Sequence, residues 1–159
     1  MKRKIRKNVF ETNSSSMHSL TVLKEGLTET LLVDKETNKV ITYFGEFGWG
    51  YDCFTDSETK LSYLVTMLVV THSDCNSIEE LCETNDFKKI NNAVAKYCNC
   101  DGILIDEKIT EEHGWTKHRG YIDHQSIQGI NSLLQEYDCT IEEFLFDKGV
   151  ILIIDNDNH

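Results

Sequence analysis

Five consecutive aliphatic residues, Val150-Ile-Leu-Ile-Ile154, constrain the fold of this chain more than any other stretch. The run is the clearest strand in the sequence. It is apolar on both faces, so it belongs in the centre of a sheet. The rest of the chain then has to supply neighbours for both its edges.

Several segments could be those neighbours. Ser19 to Leu23 alternates, with Leu20 and Val22 facing one way and Thr21 and Leu23 the other. Leu31 to Val33 and Lys39 to Phe44 flank Asp34-Lys-Glu-Thr-Asn38 and read as a hairpin with a five-residue turn. Gly102 to Ile105 is a short buried strand, and Tyr121-Ile122 a brief one. Ile5 to Phe10 could be an edge strand, its lysines and arginines guarding the edge. Between them, Gly45-Glu-Phe-Gly-Trp-Gly-Tyr51 alternates glycine with aromatics and reads as a structured loop or bulged strand. Its aromatics are expected to form a lid on the core.

Helical spacing fills the remaining segments. Asp56 or Ser57 caps a helix running to about His72, with Leu61, Leu64, Val65 and Leu68 on one face. Val69 and Val70 widen that face, so this is the central, most buried helix. Ser77-Ile-Glu-Glu80 and Thr140-Ile-Glu-Glu143 are capping-box sequences, each starting a short helix. Asn85 to Tyr97 and Ser126 to Tyr137 complete the set. Strands come first, helices fill the middle and single strands follow later. The expected fold is α+β, a mixed and mostly antiparallel sheet packed against several helices. One domain over residues 1–159 is expected, with residues 1–8 as a basic leader. A chain of 159 residues can bury roughly 70% of its unfolded surface. There is no proline, where average usage would give about eight, so no Pro-rich linker divides it.

Charge is the second strong feature. The chain carries 16 Lys and Arg against 27 Asp and Glu, a net −11. Lys2, Arg3, Lys4, Arg6 and Lys7 all precede the first acid, which leaves −16 on the chain from Asn8 onward. Such a body repels phosphate backbones, because nucleic-acid binding rests on Lys and Arg displacing counterions. It favours basic partners and fast, salt-sensitive association. Lys2 to Lys7 lacks the apolar run that a secretory signal needs. The longest apolar run, Leu64 to Val70, is too short to span a bilayer. A cytoplasmic protein is therefore expected, with no membrane partner and its six cysteines reduced.

Chemistry could sit in four places. Asn13, Ser14, Ser15 and Ser16 lead into His18, a polar turn in which hydroxyls could bind an anion and the imidazole could act as a base. Gly120-Tyr-Ile-Asp-His-Gln-Ser126 sets Asp123 beside His124 where a strand hands over to a helix. That pairing suits a general base or a bound anion, with Ser126 adding a donor or cap. Asp155-Asn-Asp157 ends a strand in acids, which either gather a metal or lie solvated. Cys98-x-Cys100 with His113-x4-His118 offers four zinc ligands, but the first pair is one residue short of the usual spacing. Neither GxGxxG nor GxxxxGK[ST] is present. No metal or cofactor is expected.

The segment Arg6-Lys-Asn-Val-Phe-Glu-Thr-Asn-Ser-Ser-Ser-Met-His-Ser-Leu20 is similar to the opening of small uncharacterised proteins from bacteriophages and low-GC Gram-positive bacteria. Gly120 to Ser126 and the terminal aliphatic-Asp-Asn-Asp run resemble the same group. The resemblance implies a mobile-element origin, an accessory role and the cytoplasm of a bacterial host, and it carries no catalytic residue. Small acidic phage proteins of this kind often inhibit host nucleases or defence systems. The favoured reading is thus an inhibitor that binds a basic, nucleic-acid-handling protein. The alternative is a small enzyme acting on a nucleotide or phosphoester through His18, Asp123 and His124. A second copy of the chain is also an admissible partner.

Overall fold

The computed structural model describes residues 16–48, 50–106, 120–122 and 129–156. Strand β7 (Val150–Asn156) lies at the centre of a three-stranded antiparallel sheet, between β1 (Ser16–Val22) and β4 (Asp52–Phe54). Leu20 stands opposite Leu152 and Val22 opposite Val150. Leu152 is in turn opposite Phe54. Val150, Leu152 and Ile154 are fully buried, while Ile151 and Ile153 are half-buried. One face of the central strand therefore carries the core.

Helix α1 (Ser57–Thr71) reaches that sheet through Tyr63, which hydrogen-bonds His18, and Lys60, which donates to the Val150 carbonyl. Residues Lys60 to Leu68 are buried without a break, because the helix is apolar nearly all round and must be enclosed. Its ends match the expected ones. The Asp56 carboxylate accepts the Thr59 N–H at 2.8 Å, and the His72 N–H closes the last turn on the Leu68 carbonyl. The other helices are α2 (Ile78–Cys82), α3 (Asn85–Cys98), α4 (Ile130–Glu136) and α5 (Ile141–Phe146). At α5 both bonds of the capping box form between Thr140 and Glu143. At α2 the Ser77 hydroxyl accepts the Glu80 N–H, but the Glu80 carboxylate turns to the Asn76 N–H instead. Buried residues from every layer join one continuous core cluster.

Two parallel ladders complete the α+β architecture. Strand β2 (Val40–Thr42) pairs with β5 (Ile103–Ile105), and β3 (Glu46–Phe47) with β6 (Tyr121–Ile122). The hairpin expected between Leu31–Val33 and Lys39–Phe44 closes only at an Asp34–Lys39 bridge. Past that bridge β2 takes β5 as its neighbour. The parallel partner lets Val40 and Thr42 bury alongside Ile103 and Ile105. Three further expectations need correction. The chain enters β1 at Ser16, so residues 16 to 18 are strand and not turn. The terminal acid run does not follow β7: Asp155 and Asn156 belong to the ladder, opposite Met17 and Ser16. From the aromatic segment Phe47 enters the core, whereas Tyr51 is 57% exposed. The basic leader 1–8 and the edge strand expected over residues 5–10 lie outside the described residues.

Candidate functional site

Strand alternation puts His18 on the same face of β1 as Leu20 and Val22, so the ring points into the core, 4% exposed. There its Nδ1 shares a 2.6 Å hydrogen bond with the Tyr63 hydroxyl. Tyr63 comes from the middle of α1 and is itself fully buried. Burial pushes its phenol ionisation far up, and neighbouring Tyr137 adds to the shift. Phe47 meets the Tyr63 ring edge-on at 5.2 Å between centroids. Such a buried pair satisfies two polar groups in the core and presents almost no surface to a ligand.

One turn earlier on the same helix, Lys60 is also fully buried. Its Nζ donates to the carbonyls of Asp147 and Val150 at 3.2 and 3.1 Å, and lies 5.7 Å from the centre of the Phe144 ring. Asp147 is 1% exposed. Its carboxylate accepts the N–H groups of Glu25, Gly26 and Gly149. Together Lys60 and Asp147 fasten the end of β1 and the turn before β7 to α1. Burial lowers the Lys60 pKa from 10.5 to about 8, a shift that the nearby Asp147 charge partly offsets.

That shift predicts a pH signature. Between pH about 8 and about 10.5 the unfolded chain keeps the lysine proton and the folded chain has released it. Stability from this group therefore rises with pH across that window. Below about 8 the lysine is charged in both states and its full burial penalty is present. Urea unfolding of the wild type and of Lys60→Met should show a free-energy difference that is flat below pH 8 and moves in favour of the wild type above it. A difference that stays flat across the window would show that burial does not lower the Lys60 pKa.

A third polar group joins helix ends. His72, at the end of α1, contacts the Asp86 carboxylate at 3.0 Å, and the Asn131 side-chain amide donates to the other Asp86 oxygen at 2.9 Å. These residues tie α1, α3 and α4 together. The ionisable thiols offer no activated nucleophile among the described residues whose ionisation is shifted. Burial raises Cys82 and Cys98, and pushes Cys139 up to about 12. Activation would need the opposite direction.

The surface is most distinctive at β2. Where the expected hairpin fails to close, its arms part and leave a groove of about 220 Å³. Leu31, Leu32, Val40, Ile41, Tyr43 and Leu61 supply its apolar lining, and its charged residues are Asp34 and Glu58. Leu32 is 82% exposed. Ile41 and Tyr43 stand out beside it, and Leu104 projects next to Ile41 across the ladder.

Of the residues singled out in sequence, the structure places His18 in the core. Ser16 opens β1 opposite Asn156. Asn13, Ser14, Ser15, Asp123, His124 and Ser126 lie outside the described residues, as do His113 and His118. Cys98 and Cys100 are free thiols. Among the described residues no group of three or more His, Cys, Asp and Glu could hold a metal ion, and no helix is long and apolar enough to cross a membrane. Sequence reasoning missed Lys60, Tyr63 and Asp147 as a polar set, because their partners lie far along the chain. It missed the groove because it closed the hairpin. Comparison with protein-family models, with curated proteins and with solved structures gives no match.

Proposed function

We propose that this chain is an acidic binding protein that occupies and inhibits a basic, nucleic-acid-handling protein of a bacterial host. The observation that carries this reading is the net charge of −11, concentrated on the chain after its basic leader. Acids such as Glu36, Glu46, Asp52, Glu58 and Asp101 are exposed and can meet a basic partner. The polar residues of the core are engaged in holding the fold, and His18 is inside it. The resemblance of the Arg6–Leu20 segment to phage proteins points the same way. An acidic surface of this kind speeds encounter and selects the partner more than it sets the final affinity.

The test starts with a stoichiometric host protein retained on the immobilised chain. Its affinity is then titrated at about 50 and about 500 mM salt, a range that cuts the Debye length from about 14 to about 4 Å. Affinity should fall at least about tenfold, and the retained protein should lose nucleic-acid binding when saturated. Equal affinity at both salts, or a partner that still binds nucleic acid, would rule the reading out.

A further inference from the structure

The parted hairpin has an open backbone edge. Asp34 N–H donates to the Lys39 carbonyl at 2.8 Å, so Lys39 faces the 31–34 arm. Val40 N–H donates to the Gly102 carbonyl, and Asp106 N–H to the Thr42 carbonyl, so Val40 and Thr42 face β5. Backbone groups alternate sides along a strand. The N–H and C=O of Ile41 therefore face the groove, where no described strand pairs with them. On the partner strand β5 the outward N–H of Ile103 is already taken by the Asn91 side chain at 2.8 Å.

We infer that the groove is a docking site for an extended, basic segment of a partner protein, which adds as a strand along Ile41. This deepens the proposed function and rests on it. Strand addition takes affinity from main-chain hydrogen bonds and specificity from alternate side chains. Here the apolar positions would meet Leu32, Ile41 and Tyr43, and the lysines or arginines would meet Asp34 and Glu58. Among the described residues no cation lines the groove. The Asp34 carboxylate is fixed in place by the N–H and hydroxyl of Thr37, both at 2.8 Å, and these bonds hold its pKa below the usual carboxylate value. A volume of about 220 Å³ is below the roughly 300–1,000 Å³ of small-molecule sites. It suits a few side chains entering from the surface. A second copy docking through its own groove is disfavoured, since it would bring the same acids against Asp34 and Glu58.

The experiment uses the full ¹⁵N-labelled chain and a short synthetic peptide of alternating lysine and valine. A glutamate–valine peptide is the control. The basic peptide should shift the amide signals of Ile41 and Tyr43 and slow hydrogen exchange at the Ile41 N–H. The acidic peptide should do neither. Ile41→Pro removes that N–H at an edge position where proline is tolerated, and should weaken binding about tenfold or more. Leu32→Ser changes an 82% exposed side chain and leaves the core intact. It should weaken binding by a smaller factor. Shifts scattered over the acidic surface, unchanged affinity in both variants, or a dimer held through Ile41 would each overturn the inference. If the variants bind the salt-sensitive host partner as the wild type does, the groove falls and the functional reading stands. If the peptide seats at Ile41 but no basic partner is retained, the functional reading falls and the groove stands.

Discussion

Asp147→Ala should lower the unfolding free energy by about 3–5 kcal/mol, the range seen when one member of a buried charged set is removed. Two losses act together. The carboxylate accepts three backbone N–H groups, from Glu25, Gly26 and Gly149. Alanine leaves them without that acceptor at the junction of β1 and β7. The substitution also strips Lys60 of the nearby negative charge that offsets its burial. Bonds to a charged acceptor contribute more than neutral ones, about 1.5–3 kcal/mol each, though not additively. Asp147→Asn separates shape from charge. It keeps the volume but swaps one acceptor for a donor aimed at N–H groups, so it should retain little of the lost stability. Lys24→Ala is the surface reference. Lys24 meets Glu143 at 3.4 Å and is half exposed, so its removal should cost no more than about 1 kcal/mol. Urea midpoints of the three variants decide the matter. A loss below that of the Lys24 reference would show that Asp147 does not hold this junction.

Gly149→Ala should cost about 3 kcal/mol, for a steric reason. A Cβ at position 149 would run into the carbonyl oxygen of Leu23 and come within 2.9 Å of Glu25 Cγ. The carbonyl is backbone and cannot swing aside. The Leu23 N–H is bonded to the Gly149 carbonyl at 2.8 Å, and the Gly149 N–H to Asp147 at 2.9 Å. Either β1 moves off β7 or the Asp147 turn opens. Gly50→Ala is the control, because a Cβ there meets nothing within 4 Å. It should fall within about 0.5 kcal/mol of the wild type. Thermal unfolding of the pair gives the comparison, and equal midpoints would refute the close approach of the two strands.

Both predictions concern the same small region, where the turn after α5 meets the end of β1. The docking groove lies elsewhere, beside β2 and the first turns of α1. A variant at Leu32 or Ile41 can therefore probe binding without touching the junction that Asp147 and Gly149 maintain.

Much of the local structure was legible in the residues alone. Val150 to Ile154 showed a central strand because a continuous aliphatic run belongs inside a sheet and not at its solvated rim, though only Val150, Leu152 and Ile154 are fully buried. Helix α1 showed both ends, since its Asp56 cap and apolar spacing operate within a few residues. The Thr140–Glu143 box is equally local, with each partner three residues from the other. Leu20 and Val22 declared their inward face by alternation, and the same alternation carries His18 inward. The polar company of His18 concealed this, because side chains near in sequence suggested a turn, while the strand continues through Ser16 to Val22.

What only the tertiary structure decided was the choice among distant partners. Leu31 to Val33 had the pattern of a hairpin arm, yet β2 took β5 on one side and left its other edge open at Ile41, between the Asp34–Lys39 bridge and the Tyr43 carbonyl held by Ser62. Lys60 reads as a surface residue until carbonyls 87 and 90 positions away receive its ammonium group. The His18–Tyr63 bond spans 45 positions. Periodicity and capping chemistry are properties of neighbouring residues, so the chain sets its strands and helices locally. Which edges pair and which polar groups can be buried depend on what folding brings beside them, and that is a property of the whole packed core.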